Sequence, residues 1–232
     1  MKIENQSRYR APVLGVIVLG QSPRDDLHRA FSAEAPDARI RVRGALDGYE
    51  AHEIADLARR RTESPVLVRL SDGSTRVIGI EWLHPMVERI AREFVDEYAR
   101  IVVVACASDF PHCRCEVPVL LPGHVIPREL AGMAPRRKVG IVAPVEGEAR
   151  IAATKWLIDG FHPSVAWASP SRHGEVMRAS DAMRDADVDV VLLDGLGHEV
   201  TSAEEFSRRC GKPVVTAQDI VARAAGAMIL AR

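Results

Sequence analysis

Aromatic residues are scarce: three Trp, three Tyr and five Phe make up 5% of 232 residues. The core must therefore be aliphatic, which a hydrophobic content of 47% allows. Charge of one sign is also lacking, since 31 Lys+Arg stand against 32 Asp+Glu for a formal charge of -1. The longest basic run is Arg59–Arg61, so no field holds a polyanion and nucleic acid is excluded as a partner. No apolar run approaches the roughly 20 residues that cross a bilayer, and the polar opening stretch MKIENQSRYRAP has no secretion-signal core. This predicts a cytoplasmic protein with no membrane partner. Four cysteines do not make a disulfide framework. In a reducing compartment each is packing, a metal ligand or a nucleophile. No Gly-x-Gly-x-x-Gly follows a strand, and Walker loop, Gly-x-Ser-x-Gly elbow and His-Glu-x-x-His helix are all missing. Nothing implies a nucleotide or flavin, and the expectation is chemistry by side chains alone, without cofactor or metal.

What is present is an alternation. Short β-branched runs, Val13–Leu19, Ile101–Ala105, Val139–Ala143, Val188–Leu193 and Val214–Thr216, read as buried parallel strands. Amphipathic helical stretches such as Trp82–Tyr98 and Ala217–Leu230 come between and after them. Together they predict an α/β fold of doubly wound parallel sheets. Val66–Leu70 and Thr75–Ile80 around Ser71-Asp72-Gly73-Ser74 break the rhythm and read as a β-hairpin. It is a plain insertion, a lid or a dimer contact. The apolar face of Ala217–Leu230 also leaves room for a homodimer.

The chain repeats itself. Leu14-Gly15-Val16-Ile17-Val18 resembles Val139-Gly140-Ile141-Val142-Ala143, and Val102–Cys106 resembles Val191–Gly195. Cys115-x-x-Pro118-Val119 returns as Cys210-x-x-Pro213-Val214. Three matches in one order predict a duplication. The halves are residues 1–133, longer by the hairpin, and 134–232, with Met133–Lys138 as linker. Two such halves leave a cleft between the carboxyl ends of their strands, where sheets of this kind bind ligands.

The residues at those ends are the candidate site. Ser22, Pro23 and Asp25 are spaced to cap a helix and begin it at the cleft, with Gln21 and Arg24 beside its free N–H groups as a carboxylate or phosphate site. The plainer reading is a helix start with a solvated Arg24. Cys106 ends the strand Ile101–Ala105, where a thiolate faces a substrate; otherwise it is a small buried hydrophobe. Ser108 and Asp109 lie near enough to orient substrate or move a proton. In the second half the matching place holds Asp194-Gly195-Leu196-Gly197-His198. Gly195 allows close backbone approach, and His198 titrates near neutrality, although a solvated loop histidine is its plainer reading. Asp47 reaches the same cleft or makes a local turn. His112, Cys113 and Cys115, with Cys106 and His124, are read against zinc, because Cys113-x-Cys115 is shorter than the usual knuckle.

Several stretches, Gly15–Leu27, Gly44–Leu57, Leu67–Ile80, Val103–Pro111, Val139–Val145, Val188–His198 and Lys212–Ala224, resemble the AroM family of the aspartate/glutamate/hydantoin racemase superfamily. Leu19–Arg24 with Gly44–Gly48 is the most specific part. The resemblance implies two pseudo-symmetric α/β halves with the substrate between them, a cysteine from each half, and neither metal nor coenzyme. Carried over by position, Cys106 is the first of these cysteines, and Gly195 stands where the second would be. One group does not exchange protons on both faces of a carbon, so a two-thiol racemase is not implied. Single-cysteine relatives include decarboxylases, and other members are isomerases that use one cysteine as nucleophile. The expected function is a coenzyme-independent lyase or isomerase acting on a small carboxylate, with Cys106 as proton donor or nucleophile. The rival is a non-catalytic carboxylate-binding or regulatory protein that keeps the cleft.

Overall fold

The computed structural model describes residues 11–169, 172–197 and 200–231; of the side chains of residues 200–202 nothing is said. In chain order the elements are β1 (Val13–Val18), α1 (Asp25–Glu34), β2 (Arg39–Gly44), α2 (Ala51–Ala58), β3 (Pro65–Arg69), β4 (Thr75–Gly79), α3 (Ile80–Asp96), β5 (Ala99–Ala105), β6 (Val119–Leu120) and α4 (Pro122–Met133). Then follow β7 (Lys138–Ala143), α5 (Glu146–Ile158), β8 (His162–Trp167), α6 (His173–Asp185), β9 (Val190–Leu193), α7 (Val200–Cys210), β10 (Val214–Thr216) and α8 (Ala217–Leu230). None of these helices is long and apolar enough to cross a membrane.

The valine-rich runs form two parallel four-stranded sheets, ordered β2-β1-β5-β6 and β8-β7-β9-β10. The two orders are the same once β7 is laid on β1. Hydrogen bonds keep the correspondence: Val102 N–H donates to Pro118 O at 3.0 Å, and Val191 N–H to Pro213 O at 2.9 Å. Both Cys-x-x-Pro-Val segments therefore enter an edge strand in the same register. The repeated glycines share a reason as well. A Cβ on Gly15 would meet the Phe94 ring at 2.7 Å, and one on Gly140 the Met183 sulfur at 2.7 Å. In each half a central strand must let the covering helix come close.

α3 shows how the pattern makes the layers. Ile80, Leu83, Val87, Ile90, Ala91 and Phe94 recur at three- and four-residue steps and are all buried against the first sheet. β8 was not evident from the sequence. Pro163 and a half-buried face mark it as an edge strand, which tolerates a residue without an N–H. The hairpin β3–β4 forms as expected, with Gly73 in the left-handed region at φ 83°.

The helix predicted from Ser22 begins later, at Asp25, with Arg24 at its N-cap and no side-chain cap. The reason lies 25 residues away. Asp47 accepts the Ser22 N–H and hydroxyl, both at 2.8 Å, so the hydroxyl is not available to cap. α8 supplies a second correction. It leaves β10, capped by Thr216 Oγ1 accepting from Asp219 N–H, and packs on α1 and α4. Ile220, Val221, Ala225 and Ile229 join Leu27, Phe31, Ile126 and Leu130 in a core shared with Val139 and Ile141 of the second sheet. The apolar face once free for a dimer is thus covered within the chain.

Candidate functional site

The carboxyl ends of β1, β5, β7 and β9 converge on a cavity of about 400 Å³. Val18–Gly20, Ala105–Ser108, Pro144 and Asp194–Gly197 line it from the strand ends, and Glu148 from the first turn of α5. β3 closes one side. Val66 and Val68 turn into the core, while Leu67 and Arg69 take the opposite face of the pleat. The hairpin is therefore part of the wall and not a plain insertion. Gly20 makes this possible, because a Cβ there would stand 1.9 Å from the Arg69 carbonyl.

Cys106 lies on the cavity wall yet is only 5% exposed. Burial pushes its thiol up to about 12; the Ser108 N–H and hydroxyl and the Lys155 charge pull down, while Glu148 adds to the rise. The thiolate expected from position alone is disfavoured, because burial outweighs the Ser108 hydrogen bonds and the Lys155 charge. A neutral S–H is a proton donor rather than a resting nucleophile. Ser108 lines the cavity beside it.

Arg24 also reaches the cavity, but its charge is committed. It holds Asp26 through two hydrogen bonds of 2.9 and 2.6 Å and donates to the Leu196 carbonyl at 2.8 Å. Burial raises the Asp26 carboxyl, but the Arg24 hydrogen bond and charge and the Leu27 N–H outweigh it and leave the pKa lowered. Asp26 thus occupies the α1 N-terminus that was expected to hold a substrate anion.

Gln21, Ser22 and Asp47 are not on the cavity wall. Gln21 Nε2 donates to the carbonyls of Leu46 and Tyr49, and its Oε1 accepts from Ser71 N–H and Oγ–H at 3.1 and 3.0 Å. It fastens the hairpin turn. Asp47 ties Ser22 to the Gly44 N–H at 2.7 Å, so the Leu19–Gly48 signature builds the support of the wall. Asp109 has a side chain 73% exposed and pairs with Lys155 at 3.3 Å, outside the cavity. Gly195 lies in the wall, and His198 lies outside the described residues. Cys113 and Cys115 sit under α3, donating weakly to the carbonyls of Pro111 and Ala91. Cys210 is buried packing in the second half.

Sequence reasoning misses Arg69, Glu148 and Asp194. Among the described residues the Arg69 guanidinium makes no hydrogen bond or ion pair, although its charge helps to hold the Asp26 carboxyl low. Glu148 Oε1 accepts the Leu67 N–H at 3.0 Å, joining α5 to the hairpin. Burial lifts its carboxyl to about 7, with the Asp194 charge adding to the rise and the Leu67 N–H opposing it. Burial likewise lifts Asp194 to about 6, against the pull of Lys155 and Trp156. The Trp156 indole N–H lies near that carboxyl without making a hydrogen bond of normal geometry, so Asp194 Oδ1 has no partner among the described residues. The available signal for Glu148 was the repeat, since the loop after β7 corresponds to the Gln21–Arg24 loop after β1.

No curated protein matches the chain in sequence. Solved structures do match its fold. An unliganded arylmalonate decarboxylase superposes with TM-score 0.61 and 17% identity over 94% of this chain and 93% of that one. Allantoin racemase from Klebsiella pneumoniae gives 0.64 and 15% over 94% and 87%. Maleate isomerase from Pseudomonas putida gives 0.58 and 13% over 93% and 91%. At such identities these similarities establish the two-sheet racemase fold. The family model described as AroM protein matches residues 14–229, nearly the full length, and the chain therefore belongs to the AroM family.

Proposed function

We propose that the chain is a coenzyme-independent isomerase or lyase acting on a small carboxylate in the cleft, with Cys106 handing a proton to the reacting carbon. The observation that carries this is a buried, neutral thiol on the wall of a cavity between two sheet ends, next to the N–H and hydroxyl of Ser108. Arg69 is the group for the substrate carboxylate, because it lines the cavity and, among the described residues, its guanidinium donors are not engaged in a hydrogen bond or ion pair. Ser108 and the Gly195 backbone complete the contact surface. The structural neighbours are a decarboxylase, a racemase and an isomerase, which supports this reaction class. The halves divide at residues 133 and 134, the cleft is the seam between them, and four free thiols fit a cytoplasmic setting.

The test is turnover of phenylmalonate, allantoin, glutamate and maleate by wild type and Cys106→Ser. Expected is turnover of at least one, reduced by about 100-fold or more in the variant, with melting temperature and affinity retained. Unchanged turnover removes the thiol from the mechanism. One observation favours a second reading, a binding protein without turnover: Gly195 stands on the cavity wall at the place matching Cys106 and supplies no second thiol. That reading predicts ligand-induced stabilisation, no turnover and a Cys106 inert to iodoacetamide.

A further inference from the structure

We propose that Glu148 is the second proton-handling group of the cleft, opposite Cys106, and that the chain exchanges a hydrogen on a carbon next to a carbonyl. This rests on the reading of Cys106 given above and deepens it from reaction class to substrate class. Gly195 matches Cys106 in register, each lying two residues beyond an equivalent pair, Val104 beside Ile17 and Leu193 beside Val142, so the second half offers no thiol there. Glu148 enters the same cavity from that half, on α5. Leu67 N–H holds one carboxylate oxygen; the other makes no hydrogen bond or ion pair among the described residues. The Glu148 charge pushes the Cys106 thiol up, and the Asp194 charge pushes Glu148 up, so the three lie close together. Arg24 and Arg69 line the same cavity, and Lys155, whose charge reaches Cys106 and Asp194, places its Nζ on Asp109 and the Ala107 carbonyl rather than on either acid. Glu148 is half-buried and lines the cavity with one oxygen left unengaged, so it can meet a bound molecule. A carboxyl titrating near 7 is suited to give and take a proton in turn.

In the step, the Glu148 carboxylate takes the hydrogen from carbon, and the C–H electron pair moves into the neighbouring carbonyl to give an enolate. The Cys106 S–H then gives its proton to the other face of that carbon, leaving a thiolate and a carboxylic acid. Water returns a proton to sulfur and accepts one from Glu148, so the cycle consumes nothing. The substrates this fits are small molecules with a C–H beside a carboxylate or amide carbonyl.

The test uses glutamate and allantoin in D₂O, with hydrogen exchange followed by NMR, on wild type, Glu148→Gln, Glu148→Asp and Cys106→Ser of confirmed melting temperature. Alkylation of Cys106 by iodoacetamide at about pH 8, read by mass spectrometry, is a second arm. Expected is exchange of at least one probe by wild type, loss of about 100-fold or more in Glu148→Gln and partial recovery in Glu148→Asp. Alkylation of Glu148→Gln should be several-fold faster, because a neighbouring negative charge has gone. Exchange by Glu148→Gln within about threefold of wild type, or unchanged alkylation, overturns the proposal. Exchange of neither probe by wild type overturns it, while turnover of phenylmalonate or maleate would keep the reading beneath it. Exchange by Cys106→Ser at the wild-type rate marks failure of the thiol reading alone.

Discussion

Glu148 and Asp194 sit in the cleft with carboxyls near 7 and 6, against ordinary values of 4.5 and 3.8, and this gives stability a sign against pH. Between pH 4.5 and 7 the folded protein keeps the Glu148 proton that the unfolded chain has already released. Stability therefore falls as pH rises through that window and levels off above it. For Glu148 the change is on the order of 3 kcal/mol. The melting temperature should be higher at pH 5 than at pH 8, and Glu148→Gln should flatten the difference; a flat wild-type profile would contradict the burial argument. The two cavity arginines separate by what they already hold. Arg69→Ala should weaken phenylmalonate binding by roughly 10- to 100-fold, since a charge-assisted contact of roughly 1.5–3 kcal/mol goes, and leave the melting temperature unchanged. Arg24→Ala should instead cost on the order of 1–3 kcal/mol of stability by stripping Asp26 of its partner. Calorimetric titration and denaturant unfolding of the two variants distinguish these outcomes. Cys106 and Gly195 could be found from the repeat, because strand ends can be counted. Arg69 could not, because its side of the pleat is fixed by which residues of β3 the core accepts.

At the scale of elements, the hairpin is held to both halves by contacts that local spacing does not reveal. Its existence was legible from Asp72-Gly73 between two β-branched runs, since the turn chemistry is local. Its place on the cavity was not, because Gln21 reaches Ser71 and Glu148 reaches Leu67 across 50 and 81 residues. The late start of α1 has the same cause, Asp47 drawing the Ser22 hydroxyl away from a helix it was spaced to cap. Gln21→Ala should therefore speed amide exchange at Ser71 and Gly73, leave α1 protected, and weaken phenylmalonate binding several-fold. Exchange unchanged at Ser71 would show that the turn is held by its own hydrogen bonds, such as Gly73 N–H to the Leu70 carbonyl.

For the whole molecule, the duplication was readable from three matched segments, and the same strand order in both sheets follows from it. What the repeat hides is that the last helix serves the other half. α4 and α8 are counterparts, each following the edge strand of its own sheet, and they pack on one another, with α8 also meeting α1. Gly226 permits that approach, since a Cβ there would lie 2.5 Å from the Glu34 carbonyl at the end of α1. Because the α8 face shares one core with β1, α1, α4 and β7, neither sheet buries its apolar surface alone. Burial of Ile220, Val221 and Ile229 is worth roughly 1.5–3 kcal/mol each, a large share of the stability of an ordinary domain. The chain should unfold in one calorimetric transition, with calorimetric and van't Hoff enthalpies equal. A chain ending at Thr216 should lose fixed tertiary structure in both halves, read from near-ultraviolet dichroism at the Trp82 and Trp156 sites. Two resolved transitions in the full chain, or a first half that stays cooperative without α8, would show that the shared core does not couple the sheets.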